Sequence, residues 1–211
     1  MNLHIQDSEE NFKPSLDLKW SWVSLGDLCT QDRTIVESGS ELAKRLRYVG
    51  LEQIESQTGR LLPKSSNSAE DQGKSTTFAF DSRHILYSKL RPYLNKVALP
   101  NFSGRCTTEL IPFLPHADVS RRYLAWLFRR PETVQFAMQG KTGSRMPRAN
   151  IKELLTLRVA LPDSLEQQEK LAHIIETQMN SIKQAKLACQ EQIVLLDELS
   201  HQILSDFPLT V

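Results

Sequence analysis

The longest helical pattern in this chain covers residues 164–207, which contain neither glycine nor proline. Asp163 or Ser164 can cap the helix at its start, and Pro208 ends it. A helix of this length measures about 65 Å, since each residue adds about 1.5 Å. The roughly 150 residues before it would form a domain with a radius of gyration of about 15 Å. Such a domain is too small to cover the helix, which therefore needs a partner.

Side chains on one face of this helix recur in alternating steps of four and three residues, which is a heptad pattern. The seam consists of Leu171, Ile175, Gln178, Ile182, Ala185, Cys189, Gln192, Leu196, Leu199 and Ile203. It predicts pairing with a second long helix, from another copy or another protein, because no internal repeat supplies one. The alternative is an amphipathic helix folded back on its own domain.

The preceding residues have the pattern of an α+β domain. Strand-forming stretches lie at 20–25, 48–51, 85–94, 97–100, 110–115 and 157–162. The prolines in 97–100 and 110–115 place those strands at edges or ends. Residues 120–140 predict two helices, with Ser120 as N-cap, a break at Pro131 and a stop at Gly140. We expect a polar leader (1–19), a domain with a twisted, mainly antiparallel sheet and short helices (20–162), and a coiled-coil-type helix (163–207).

The net charge of +1 conceals an uneven distribution of charge. Residues 83–148 carry 12 Lys and Arg against 3 Asp and Glu, a difference of +9. Residues 163–211 carry 3 against 8, a difference of −5. A basic centre favours a polyanionic partner, and an acidic end favours a protein partner.

The most concentrated basic segment is residues 87–96, Tyr-Ser-Lys-Leu-Arg-Pro-Tyr-Leu-Asn-Lys. Pro92 fixes its own φ and favours an extended Arg91, which predicts a rigid strand-to-turn corner. Cations on a rigid frame suit a nucleic-acid surface, where phosphate contacts keep base contacts in register. The alternative is a solvated basic strand end.

A second basic loop, residues 141–150, combines cations with hydroxyl and amide groups that can donate to phosphates or base edges. Together with the corner and one turn arginine, it gives the predicted DNA contacts Lys89, Arg91, Lys96, Arg105, Lys141, Ser144, Arg145, Arg148 and Asn150. Within that set, Ser144, Arg145, Arg148 and Asn150 are the better candidates for reading bases. The long polar loop at 56–77 is a further candidate.

The sequence lacks the phosphate-binding, dinucleotide-binding, zinc-protease and hydrolase motifs, and it has no amino-methyltransferase tetrapeptide. We predict no catalytic residue and no metal site. Cys29, Cys106 and Cys189 are far apart and odd in number, and no apolar run approaches the ~20 residues of a membrane span. These features predict a cytoplasmic protein with reduced thiols.

Several short motifs follow one another along the chain in a characteristic order. The most specific are Leu-Tyr-Ser-Lys-Leu-Arg-Pro-Tyr at 86–93 and Leu-Pro followed by Glu-Gln-Gln at 161–168. Weaker ones are Trp-Val-Ser-Leu-Gly-Asp-Leu at 22–28, Thr-Thr-Glu at 107–109 and Gly-Ser-Arg-Met-Pro-Arg at 143–148. In this order the chain resembles a specificity (S) subunit of type I restriction–modification systems, over about residues 20–206.

The resemblance implies a target recognition domain followed by a spacer helix in a non-catalytic DNA reader. It also implies a methyltransferase partner that brings S-adenosylmethionine and a restriction partner that uses ATP with Mg, so this chain itself binds no cofactor. Usual S subunits hold two such domains and two helices, whereas this sequence holds one of each, as a natural half-length form or as a fragment. A half-length form would pair as a homodimer through residues 164–207 and read a split site. The alternative is a protein-interaction scaffold with a globular head and a coiled-coil stalk.

Overall fold

The computed structural model describes residues 19–63, 75–140 and 145–206. The chain divides into two compact units, Met1–Glu169 and Lys170–Val211. The described strands are β1 (Trp20–Ser24), β2 (Cys29–Gln31), β3 (Ile35–Val36), β4 (Arg47–Val49), β5 (Thr77–Phe80), β6 (Ile85–Ser88), β7 (Val97–Ala98), β8 (Gly104–Thr107), β9 (Leu110–Pro115) and β10 (Arg158–Pro162). The helices are α1 (Glu41–Arg45), α2 (Arg121–Arg129), α3 (Pro131–Met138), α4 (Ile151–Leu154) and α5 (Leu165–Asp206).

The strands of the first unit form two four-stranded sheets and one two-stranded ribbon within the described ranges. One sheet has the order β2-β9-β6-β7 and is antiparallel throughout. The other has the order β3-β5-β8-β4, in which β4 and β8 alone run parallel. The ribbon pairs β1 with β10. The predicted α+β class with a mainly antiparallel sheet is confirmed.

Aromatic side chains fill the core between the first sheet and α2. The rings of Phe113 and Phe128 stack with their centroids 4.9 Å apart, and the ring centroid of Tyr87 lies 5.3 Å from that of Phe128. Burial raises the pKa of the Tyr87 phenol, so this tyrosine serves the core and stays neutral. The last strand residues of β6 are thereby fixed before the chain reaches the basic corner.

The position of β9 differs from the prediction. Pro112 and Pro115 led us to expect an edge strand or strand end, yet β9 lies between β2 and β6. The carbonyl of Pro112 accepts from the amide of Asp32, just past the end of β2. In an antiparallel strand, the N and O atoms of one residue face the same neighbouring strand. The nitrogen of Pro112, which has no hydrogen to donate, therefore faces the side of β2 just beyond the end of that strand.

The helix boundaries follow the predicted capping signals. Ser120 Oγ accepts from the amide of Tyr123 at 3.1 Å to begin α2, and Pro131 begins α3. Gly140, with φ +67°, follows α3. Ser164 Oγ accepts from the amide of Gln167 at the start of α5.

Helix α5 has 42 residues, and every side chain from Met179 to Ser205 is exposed. Ten large apolar side chains are among them: Met179, Ile182, Leu187, Ile193, Val194, Leu195, Leu196, Leu199, Ile203 and Leu204. Of the predicted seam, Leu171, Ile175 and Gln178 are half-buried, and the seven residues that follow are exposed. In the described part of the chain, no helix combines the length and the apolar character needed to cross a membrane.

Candidate nucleic-acid interface

The basic corner is a tight, rigid turn. At the end of β6, Ser88 Oγ donates to the carbonyl of Leu90, and a 3₁₀ turn follows at Pro92–Leu94. The expectation of an extended Arg91 is wrong, because Arg91 has φ 49° and ψ 65° in the left-handed region. Proline disfavours the right-handed helical conformation in the residue before it, and the left-handed conformation of Arg91 lets its carbonyl accept from the amide of Leu94 at 2.9 Å.

The second basic loop is joined to this corner by backbone hydrogen bonds. The amide of Arg91 donates to the Pro147 carbonyl at 2.7 Å, and the amide of Ala149 donates to the Lys89 carbonyl at 2.8 Å. Leu90 and Arg148 thus form an antiparallel bridge. Pro147 and Ala149 are buried while Arg148 between them is exposed, so its side chain projects outward. Predicted contacts Lys141 and Ser144 lie outside the described residues.

The beginning of the long polar loop reaches the same corner. The backbone amide of Gln57 donates to the carbonyl of Leu94, and its side-chain Nε2 donates to the carbonyl of Tyr93, both at 3.0 Å. Gly59 has φ +66°, and a Cβ there would lie 1.8 Å from the carbonyl oxygen of Val97. Only glycine permits so close an approach. Residues 64–74 of this loop lie outside the described residues.

We call residues 55–61, 89–95 and 145–149 the loop junction. The three non-glycine residues with positive φ in the described part of the chain are Gln57, Arg91 and Asn95, and all belong to it. For Gln57 and Arg91 this conformation costs about 1–2 kcal/mol relative to an ordinary one, whereas asparagine adopts it more readily. Strained backbone persists only where neighbouring contacts hold it in place, and such residues cluster at functional sites.

Five cations occur on the loop junction, and one of them, Arg60, pairs with Glu55 at 2.8 Å within it. Arg91, Arg145 and Arg148 are exposed, and Lys89 is half-buried. Glu109, in the turn between β8 and β9, contacts two of them: Arg148 at 3.2 Å and Lys89 at 3.9 Å. Five positive charges against the two negative charges of Glu55 and Glu109 leave a net charge of +3 on this surface.

Other predicted contacts are engaged in holding the fold. Lys96 Nζ donates to the carbonyl of Leu51 at 2.7 Å, and burial lowers the pKa of this ammonium. Arg105 is only 6% exposed, its Nε donates to the carbonyl of Ala43, and its guanidinium lies over the Tyr48 ring. Asn150 caps α4 by accepting from Glu153. For these three residues, contact with DNA stays a prediction. The geometry favours the cations of the loop junction as the DNA contacts.

Two residues of this surface did not stand out in the sequence. Gln57 was one polar residue in a long polar loop, and Glu109 belonged only to the weak motif Thr-Thr-Glu. For Glu109, the available signal in the sequence was the motif Thr-Thr-Glu itself, because it places an acidic residue among basic segments. Nothing in the sequence separated Gln57 from its neighbours.

No family model matches the sequence. Among curated proteins, the chain is 28% identical over 161 residues to the type I restriction enzyme EcoDI specificity subunit of Escherichia coli. The match covers 74% of this chain and 34% of that protein. The chain therefore spans about a third of the length of its curated relative.

Two solved structures share the fold. The crystal structure of the HsdS subunit from Thermoanaerobacter tengcongensis matches with a TM-score of 0.66 and 19% identity, covering 94% of this chain and 53% of that one. A structure from work on assembly and conformational transition of the type I R-M system matches with a TM-score of 0.60 and 17% identity, covering 91% and 47%. The sequence similarity to the EcoDI specificity subunit confirms the resemblance noted from the motifs, and the two solved chains share the fold.

Proposed function

We propose that this chain is a DNA-recognition unit of a type I restriction–modification complex, and that the loop junction contacts the target. One observation carries the proposal. Three segments far apart in sequence are held by backbone hydrogen bonds into one strained surface with a net charge of +3. A recognition surface needs this combination, because sequence readout fails when the contacting side chains move relative to the DNA backbone.

The cations divide into two roles on this proposal. Arg91 and Lys89 contact phosphates and supply an affinity that falls as salt rises. Arg148 reaches a base edge, where a bidentate contact to guanine gives about 1–3 kcal/mol of discrimination. Arg145 and Asn150 lie on either side of it in sequence and are its candidate neighbours in base readout.

The chain itself is non-catalytic on this proposal and acts in the cytoplasm. A methyltransferase subunit supplies S-adenosylmethionine, and a restriction subunit supplies ATP with Mg. The relationship to the EcoDI specificity subunit supports these partners, although the match covers about a third of that protein.

Helix α5 pairs with the same helix of a second chain. Its large exposed apolar side chains support the pairing, since a soluble helix with so many needs a partner surface. If the pairing follows a two-fold axis, that axis relates the two recognition domains of the pair to each other. The complex then reads two inverted half-sites at a spacing that the helices set.

The test compares binding of the purified chain to duplex DNA with and without the methyltransferase subunit. We expect weak, salt-sensitive binding by the chain alone and tighter, sequence-dependent binding with the subunit. A mobility shift at low salt separates this function from a protein-only scaffold, which would not retard DNA. Binding with the subunit that shows no sequence preference would refute the proposal.

A further inference from the structure

Glu109 is an acidic side chain in a surface that we propose binds a polyanion. Glu109 lies in the turn after β8, and β9 begins at the next residue. Its backbone carbonyl accepts from the amide of Lys89 at 3.0 Å. Its side chain is 24% exposed. A carboxylate here repels phosphates, so its presence calls for a compensating role.

The carboxylate contacts one edge of the Arg148 guanidinium. Arg148 Nε lies 3.2 Å from both carboxylate oxygens, and Nη2 lies 3.2 Å from Oε1. In the described residues, Nη1 makes no hydrogen bond. The edge formed by Nη1 and Nη2 can therefore still donate two hydrogen bonds, which is the arrangement that guanine O6 and N7 accept.

The pair is not needed to hold the fold. The Arg148 side chain is 52% exposed, and ion pairs with that exposure contribute little to stability. The backbone on both sides of Arg148 is already fixed by the hydrogen bonds of Pro147 and Ala149. What the carboxylate adds is the direction of the guanidinium.

We propose that Glu109 is a positioning residue for sequence readout, which holds the Arg148 guanidinium so that its free edge faces a guanine. The inference rests on the proposed function and adds a specificity determinant to it. Glu109 lowers affinity for DNA in general through its charge and raises discrimination through Arg148. Its removal therefore changes the two quantities in opposite directions.

The experiment uses the full chain with its methyltransferase subunit and a library of duplexes with randomised base pairs. For Glu109→Gln we expect the base preference at one base pair to fall by about tenfold, because part of the discrimination from one bidentate contact is lost. We expect affinity for unrelated duplex to rise by about two- to fivefold, as one charge is removed near the phosphates. The matched control is Glu132→Gln, which removes the charge of another acid paired with an arginine, Arg130, at 3.1 Å.

A double-mutant comparison separates positioning from direct reading by Glu109. In an Arg148→Ala background, Glu109→Gln should leave the base preference unchanged, because the residue it positions is gone. A further change of preference at another base pair would mean that Glu109 reads a base itself, and it would overturn the inference. Arg148→Lys keeps the charge without the planar edge and should reproduce the loss of preference.

The outcomes distinguish this inference from the proposed function. If the wild-type complex shows no base preference, the proposed function fails. If the wild type has a preference that Glu109→Gln leaves intact, the inference alone fails. Should Glu109→Gln unfold the chain, Arg148→Lys decides the matter, since preference that survives this change leaves nothing for Glu109 to position.

Discussion

At the scale of single residues, Arg91 and Arg148 are neighbours with different surroundings. Arg91 is exposed on a left-handed backbone and makes no ion pair with any described residue. Arg148 is oriented by a carboxylate on one edge. A cation that is free to move suits a phosphate, whereas an oriented guanidinium suits a base edge.

The first prediction separates these two roles. Arg91→Ala should weaken binding to every sequence alike and reduce the salt-dependence slope by about 0.9, because one phosphate contact is lost. Arg148→Ala should alter the order of preferred sequences, with a change of about 1–3 kcal/mol at one base pair. Titrations of a site library at several salt concentrations measure both quantities. Equal losses across the library for both variants would remove the distinction.

The second prediction concerns the strain at Arg91. Arg91→Ala and Arg91→Gly remove the same charge, but only glycine adopts the left-handed conformation without cost. The glycine variant should be more stable than the alanine variant by about 1 kcal/mol, while both lose DNA affinity equally. Urea unfolding of the two variants measures the difference. Equal stability would mean that the observed φ of 49° carries no strain.

His84 shows a second residue-scale feature, since it is buried between two carboxylates. Its Nδ1 lies 3.0 Å from Asp81 Oδ1, and its Nε2 lies 3.2 Å from Asp32 Oδ2. Hydrogen bonds from Arg83 hold the pKa of Asp81 well below its usual value, and a hydrogen bond from Thr34 lowers the pKa of Asp32. The network connects the turn between β5 and β6 to the segment between β2 and β3.

The third prediction follows from these lowered pKa values. A carboxyl whose pKa is lower in the folded state stabilises the fold above the unfolded value near 3.8, and this stabilisation is lost as pH falls further. The free energy of unfolding should therefore decline below about pH 4. Asp81→Asn should lower stability at pH 7 and flatten that decline. Glu37→Gln, at an exposed acid, is the control. A decline that Asp81→Asn leaves unchanged would exclude Asp81 as its source.

At the scale of elements, local signals predicted most of the fold. Ser120, Pro131 and Gly140 mark helix boundaries through their own backbone and side-chain chemistry, so α2 and α3 lie where they were predicted. The absence of glycine and proline likewise predicted α5. The corner at Pro92 was predicted as a turn, although the conformation of Arg91 was not.

Features that depend on distant residues could not be predicted. The central place of β9 depends on β2 ending opposite Pro112, and the parallel pairing of β4 with β8 depends on the path of the chain between them. The sequence shows that Lys96 and Arg105 are cations but not that carbonyls of Leu51 and Ala43 accept their hydrogen bonds. Gln57 joins the loop junction through contacts 36 residues away in sequence.

The fourth prediction concerns α5 as an element. Leu196, 62% exposed on the seam, should be buried when two copies pair. Leu196→Glu should weaken pairing by at least about 2 kcal/mol, or roughly thirtyfold, because a charge would be buried at the seam. Gln190→Glu adds the same charge off the seam and should have little effect. Sedimentation equilibrium measures both, and a wild-type chain that remains monomeric would contradict self-pairing.

At the scale of the whole molecule, one recognition unit of the proposed kind would read only a few base pairs. Pairing two copies through a two-fold axis doubles the number of bases read without new side-chain chemistry. The chain spans about half of the two solved chains that it matches, so two copies would approximate one such chain in length. In the proposed pairing, each copy would contribute one loop junction and one long helix.

Sequence selection from a library of randomised duplexes, with the chain and its methyltransferase subunit, tests this account most directly. We predict enrichment of two inverted copies of one short motif, separated by a spacer of fixed length, because the paired helices set the distance between two identical surfaces. Enrichment of no motif, or of one uninterrupted asymmetric motif, would contradict it.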